Sequence, residues 1–230
     1  MAARQSRSDA IARCPIFSGL GKRLLSRIAA AATERHLAPN QQLSAQGEPF
    51  AYLGVVARGS VLGIVSSKDG RDQILYEAGF GESFGETLVF GGEASLGRSA
   101  AGAHGAVVVL IANATLEKAC GANPALGLQL ARAIAQRAQI VANGLASLAF
   151  TSTKERVARA ILALVRSVED DWMDAPAELR ELSQTQLAER SGTVRVVVAR
   201  ALRSLAEANA IELERGRIKR LNAAALARRL

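Results

Sequence analysis

The sequence predicts an α+β chain with a β jelly-roll in its front half, a long helix after it, and a winged helix-turn-helix at the back. Three observations predict this. Short apolar runs broken by glycines fill the stretch from His36 to Ile111, and an apolar repeat at steps of four and three follows Pro124. Two short helical segments joined by Ser191-Gly192 then precede a basic hairpin. Strands gathered ahead of helices, rather than alternating with them, set the class as α+β.

At the front, Leu24, Leu25, Ile28, Ala29 and Ala32 recur at helical spacing and predict one amphipathic helix over residues 20–34. The runs Tyr52–Ala57, Val61–Val65 and Val107–Ile111 read as short strands with glycine turns between them. A sheet closed on itself can hold one small ligand between its walls. Pro124 belongs in the first turn of the long helix, where its missing N–H costs nothing. Gly127, Ala131, Ile134, Ala138, Val141, Leu145 and Leu148 form an unbroken heptad seam, which predicts a parallel homodimer through residues 125–150. The expected divisions are a sensor domain over 1–122, a dimerisation helix over 123–150 and a DNA-binding domain over 151–230.

Thr151-Ser152-Thr153 caps the next helix, read as Lys154–Val168, and an acidic loop of Glu169, Asp170, Asp171 and Asp174 follows. Ser183 and Gln186 form a capping box for a helix ending at Ser191-Gly192. Thr193 is expected to cap a second helix running to about Ala208. Leu187, Ala188, Val194, Val198, Ala201, Leu202 and Leu205 form the apolar face between the two. Ile211 to Leu221 reads as two strands around a glycine turn, a wing.

The 230 residues carry a formal net charge of +8, which favours a polyanionic partner. From Arg180 to Leu230 there are eleven Lys/Arg against five Asp/Glu, so 11 − 5 = +6 of that charge sits in the last 51 residues. The predicted partner is double-stranded DNA. Arg195 and Arg200 sit where base edges come within reach, and an arginine there can bond N7 and O6 of guanine. Val196 and Arg203 share that outward face, while Gln184 and Thr193 open the two helices. Arg217, Lys219 and Arg220 on the wing would meet phosphates and supply affinity rather than sequence choice.

The sharpest motif in the front half is Phe84-Gly85-Glu86-Thr87-Leu88 followed by Arg98-Ser99-Ala100. A glycine lets a backbone N–H approach an anion, Glu86 can accept from a sugar hydroxyl, and Arg98 offers a planar fork to a phosphate that Ser99 can also touch. With this order of segments, the chain resembles the Crp/Fnr family of bacterial transcription regulators from about Phe17 to Leu221. Gly85, Glu86, Arg98 and Ser99 match the phosphate-binding cassette of the family's cyclic-nucleotide-responsive branch. The resemblance implies that Glu86 holds a ribose 2′-hydroxyl and that Arg98 and Ser99 hold a cyclic phosphate. Leu148-Ala149-Phe150 matches the hinge after the dimer helix, and Gln186 through Leu205 resembles the reading motif.

The departures from the family pattern are informative. The stretch between Glu86 and Arg98 is about two residues longer than usual. Where cyclic-AMP-binding members place Thr-Ser on the dimer helix, this chain has Val141-Ala142, with Asn143 adjacent; Arg137 matches a helix arginine near the ligand. The implied effector is cyclic AMP first and cyclic GMP second, with phosphate and ribose recognition kept and base recognition changed. Val196 stands where the family often has a glutamate that accepts from cytosine, so a thymine methyl is the expected contact in a palindromic target. RNA polymerase is the further partner the resemblance adds.

Three rival readings compete. A haem or gas sensor of the same fold would draw axial ligands from His36, His104, Cys14 and Cys120. A ligand-independent regulator would keep Arg98 as a structural cation paired with Glu86. An enzyme regulated by a cyclic nucleotide would need a nucleophile–base constellation, metal triad or P-loop, and the sequence has none. Two cysteines cannot complete a four-thiolate zinc or iron–sulfur site, so no metal is expected. No apolar run approaches the roughly 20 residues of a membrane span, and Met1 to Arg13 has no signal-peptide core. The expected location is cytoplasmic, with reduced thiols.

Overall fold

A computed structural model of the chain describes residues 2–91, 94–165 and 172–230. Glu169, Asp170 and Asp171 of the predicted acidic loop, residues 166–168 of the helix before it, and Gly92-Glu93 of the cassette spacer lie outside the described residues. The fold divides into two compact units, Met1–Ala142 and Asn143–Leu230.

The first unit opens with helices α1 (Ala2–Arg13) and α2 (Lys22–Ala31). Strands β1 (Thr33–Leu37), β2 (Gln42–Ser44), β3 (Tyr52–Ser66), β4 (Asp72–Ala78), β5 (Ser83–Phe84) and β6 (Arg98–Ala112) follow, then α3 (Asn113–Ala122) and α4 (Pro124–Phe150). The strands form one antiparallel sheet in the order β1-β6-β3-β4, with β2 on β6 and β5 on β3. The runs expected as two strands, Tyr52–Ala57 and Val61–Val65, are one bulged strand, β3. Gly59 does not end it but bends it: φ is +73°, and the register shifts on both sides. A Cβ on Gly59 would stand 2.1 Å from the Gly105 carbonyl oxygen across the ladder, so a glycine is required there on two counts.

Alternation along β3 and β6 supplies both faces of the sheet. Leu53, Val55, Val109 and Ile111 pack with Ile11, Phe17, Ile28, Leu116, Leu126 and Leu130 of the helices. Val56, Val61, Val108 and Leu110 face the other way and join Leu37, Phe50 and Phe84 in a second core. The first helix of the sequence reading ends earlier than expected, because residues from Thr33 pair with β6 as β1.

Pro124 opens α4, and its first turn is tied by the Asn123 side chain, which accepts from the Ala125 amide at 3.2 Å. The boundary between the units falls inside this helix. Of its heptad positions, Gly127, Ile134 and Val141 are half-buried and Ala131, Ala138, Leu145 and Leu148 are exposed, Leu145 to 68%.

The second unit carries α5 (Thr153–Leu162), β7 (Trp172–Asp174), α6 (Ala177–Glu181), α7 (Gln184–Ser191), α8 (Arg195–Glu207), β8 (Ile211–Glu214), β9 (Arg217–Asn222) and α9 (Ala223–Ala227). Ser152 with Glu155 and Ser183 with Gln186 form reciprocal capping boxes. Val157, Ile161, Leu187, Val198, Leu202, Leu205, Ile218 and Leu221 are among the side chains of a single core. The small sheet runs β7-β9-β8, and its β8–β9 hairpin turns at Arg215-Gly216, both with positive φ, the type that matches the twist of two strands.

Candidate ligand pocket and nucleic-acid face

The cassette of the first unit is built where β5 runs into a short 3-10 turn, Glu86–Leu88. Gly85 adopts φ +82°, and a Cβ there would lie 2.8 Å from the Tyr52 carbonyl oxygen. Its glycine identity therefore answers first to the packing of β5 on β3. Glu86 is only 3% exposed; its Oε1 accepts from the Ser83 hydroxyl at 2.5 Å and from Arg137 Nη2 at 3.2 Å. Arg137, on α4, also donates to the Ser83 carbonyl at 2.8 Å and lays its guanidinium 3.8 Å over the Tyr76 ring. A buried carboxylate needs such a partner, since isolation from water would otherwise favour its neutral form.

Arg98 and Ser99 stand on β6. Arg98 Nη2 donates to Asp72 at 2.5 Å, and Ser66 donates to the same carboxylate at 2.5 Å. Burial alone would raise the Asp72 carboxyl, but the Ser66 hydroxyl and Arg98 outweigh it and hold it below its ordinary value. The pairing expected for a purely structural Arg98 was with Glu86. That pairing is corrected: Arg98 of β6 reaches past β3 to Asp72 at the start of β4, and Glu86 takes Arg137. Ser99 is buried, and Thr87 is exposed.

A cavity of about 320 Å³ lies beside these groups, lined by Tyr76, Glu77, Glu82, Glu86, Arg132, Arg137 and Ile140 among others. Glu86 and Arg137 are brought together at it. Asn143 belongs to the second unit. Tyr76 carried no signal at the sequence level beyond its place in an apolar run.

The haem candidates are dispersed. Cys14 is buried in the helix-side core, whereas His36 and His104 line a separate surface groove, with His36 bonded to Glu34 at 2.9 Å. Among the described residues no group of three or more His, Cys, Asp or Glu is placed to hold a metal ion. No helix among them is long and apolar enough to cross a membrane.

In the second unit, α7 ends at Gly192 in the left-handed conformation (φ 62°, ψ 47°). The second helix begins at Arg195 with Val194 as its N-cap and without a side-chain cap. The expected Thr193 cap is thus corrected: the Thr193 amide instead closes α7 by donating to the Ala188 carbonyl at 3.1 Å. Val194, read as part of the apolar face, is exposed, because at the cap position its side chain precedes the first helical turn. Arg195, Val196, Arg200 and Arg203 share one exposed face opposite the buried Val198, Ala201, Leu202 and Leu205, and Val196 is 65% exposed.

Two features of this face were not legible beforehand. Arg156 of α5 binds the turn from behind: Nε donates to the Ser191 carbonyl at 2.8 Å, Nη1 to Thr151 at 2.7 Å, and Nη2 reaches Thr153 Oγ1 and the Gly192 carbonyl at 3.3 and 3.4 Å. The wing cations are engaged within the unit. Arg217 Nη1 donates to the Arg180 and Glu181 carbonyls, Lys219 stands 3.5 Å from Glu214, and Arg220 lies between Asp174 and Glu212. Gln184 reaches the wing turn, donating to the Gly216 carbonyl at 3.0 Å.

Residues 34–122 match the cyclic nucleotide-binding domain family, and residues 155–229 match the Crp-like helix-turn-helix domain family. The chain is 27% identical over 208 residues to the CRP-like cAMP-activated global transcriptional regulator of Mycobacterium tuberculosis, covering 90% of this chain and 92% of that one. It is 27% identical over 169 residues to the cAMP-activated global transcriptional regulator CRP of Salmonella typhimurium, covering 72% of this chain and 79% of that one. Among solved structures, the c-di-GMP responsive global regulator CLP of Xanthomonas campestris shares the fold with a TM-score of 0.72 at 20% identity, over 86% of this chain and 98% of that one.

Proposed function

The chain belongs to the Crp/Fnr family of transcription regulators, and we propose that a cyclic nucleotide in the pocket at Glu86 controls its binding to DNA. Cyclic AMP is the first candidate and cyclic GMP the second. The observation that carries this reading is the Glu86–Arg137 ion pair, which joins the cassette to the long helix at 3.2 Å. In this reading a ribose hydroxyl that claims Glu86 competes with Arg137 for the carboxylate, so ligand binding is coupled directly to α4. The cAMP-activated relatives favour the same effector.

In this reading two chains pair along the α4 heptad face, whose exposed Leu145 and Leu148 gain cover on association. Re-partnering of Arg137 biases the segment Leu148–Thr153 and sets two α8 helices roughly 34 Å apart, one turn of DNA. Arg195 and Arg200 then read guanines, Val196 packs on a thymine methyl, Arg203 and Lys219 meet phosphates, and RNA polymerase is the downstream partner. Family and domains are those of a transcription regulator and not of an enzyme.

Titration calorimetry with cyclic AMP and cyclic GMP tests the effector, on wild type and on Arg98→Ala. Binding by wild type with a loss of at least about tenfold in Arg98→Ala is expected, since a guanidinium–phosphate pair is charge-assisted. Absence of heat from either nucleotide overturns the effector assignment. A second reading, a ligand-independent regulator, is favoured by one observation: Arg98 and Glu86 each already hold a partner in the chain. It predicts operator binding in anisotropy that neither nucleotide alters.

A further inference from the structure

Tyr76 lies on β4 directly opposite Gly63 of β3. A Cβ on Gly63 would fall 2.2 Å from Tyr76 Cε1, so the ring lies flat over its glycine partner and points into the roll beside the second core. The Arg137 guanidinium covers the ring at 3.8 Å. On its other side Gly63 pairs with Ser99 of β6, so the ring that covers Gly63 comes up to Ser99, and burial raises the phenol above its ordinary value. The open cavity is lined by Tyr76, Glu86 and Arg137, while Arg98 and Ser99 are not part of its wall.

These placements conflict with a single ligand footprint. A cyclic nucleotide held as proposed above must touch Glu86 at one end and Arg98 with Ser99 at the other. Tyr76 adjoins both ends, with Arg137 over its ring and Ser99 beside it. We propose that Tyr76 is a built-in occupant of the phosphate end of the pocket, which a cyclic nucleotide must displace before it reaches Arg98 and Ser99. Tyr76 thereby sets the threshold concentration at which the effector acts. This rests on the effector reading above and adds the residue that tunes it.

The displaced state is a minor population, and apparent affinity falls in proportion to that population. Replacing the ring by a small polar side chain removes the competition. Tyr76→Ser should therefore bind cyclic AMP or cyclic GMP roughly tenfold or more tightly than wild type in calorimetry. Tyr76→Phe, which keeps the ring and loses the hydroxyl, should fall between them. The chain has only two tyrosines, so ring-labelled tyrosine NMR of the wild type, assigned with Tyr52→Phe, follows the ring without any change to the pocket. Addition of saturating nucleotide should move the Tyr76 signal and leave Tyr52 in place.

Wild-type binding with equal or weaker affinity in Tyr76→Ser, and an unmoved Tyr76 signal, overturn the proposal and leave the effector reading standing; the ring would then be a platform for the ligand. Should folded Tyr76→Ser and wild type both give no heat with either nucleotide, the effector reading falls and this proposal falls with it. If Tyr76→Ser does not fold, Tyr76→Phe and the wild-type ring signal decide the matter alone.

Discussion

Arg156 offers a direct test of how the DNA-reading turn is held. Its guanidinium spans three backbone carbonyls and one hydroxyl, and two of the contacts, to Thr151 and Ser191, are 2.7 and 2.8 Å. Arg156→Met keeps most of the aliphatic stem and removes every donor. Each short bond contributes about 1–1.5 kcal/mol net of the exchange with water, because the acceptor carbonyls are partly reachable by solvent. The two longer contacts, at 3.3 and 3.4 Å, add little. The sum is about 2–3 kcal/mol. For a unit of this size that corresponds to a fall in melting temperature of roughly 10–20 °C. Trp172 is the only tryptophan and lies in the same unit, so its fluorescence reports the transition in the intact chain. Operator affinity should fall alongside by roughly tenfold, as Ser191 and Gly192 set the entry angle of α8. Arg156→Lys should recover about half of the stability, having one donor group for the same carbonyls. If Arg156→Met melts within a degree or two of wild type and binds operator equally well, the clamp is ornamental and the reasoning fails.

Other expectations follow from single features. Arg195→Ala should cost about 1–3 kcal/mol in specific DNA affinity and relax choice at one base pair, measured by anisotropy on paired operators. Val196→Glu should move the selected base from thymine toward cytosine; strict cytosine selection by the wild type would refute the role given to Val196. Gly59→Ala should destabilise the first unit by about 3 kcal/mol or more, from a positive φ and a clash with the Gly105 carbonyl, in denaturant melts. Gly70→Ala is its control, with φ +75° but open space around a Cβ, and should cost only about 1 kcal/mol. Burial chiefly pushes the Cys14 thiol up to about 11, so at pH 8 a thiol reagent should label Cys120 and reach Cys14 only in denaturant. The sign for stability follows: between its ordinary 9.0 and about 11 the unfolded chain ionises first, so Cys14 makes the fold less stable as pH rises.

The parts of the fold that were legible in the sequence are those fixed by contacts close in sequence. The Ser183–Gln186 capping box, Pro124 at the start of α4, and the Arg215-Gly216 hairpin each satisfy backbone groups within a few residues, and each is found where its residues predict it. Gly59 was misread for the opposite reason. A glycine between two apolar runs signals a turn when only its neighbours are considered. Its actual role is decided by Gly105, 46 residues later, whose carbonyl occupies the space a side chain would need. The bulge is a property of the pair, and no local pattern encodes it.

The same distinction runs through the candidate site. Residue types at the cassette and on α8 were readable because the chemistry of a phosphate or a guanine edge restricts them to a few side chains. Their partners were not. Glu86 finds Arg137 across 51 residues and Arg98 finds Asp72 across 26, so the Glu86–Arg98 pair expected of a ligand-independent regulator is not the one the fold makes. The consequence bears on regulation. Glu86, Arg98 and Arg137, the charged groups a nucleotide would claim in the proposed reading, each already hold at least one partner in the chain, so effector binding there would include an exchange of partners. Such an exchange yields a smaller net affinity than the contacts alone suggest, because each new hydrogen bond replaces an existing one. In that reading a ribose hydroxyl at Glu86 would compete with Arg137 for the carboxylate, which would couple the pocket to α4.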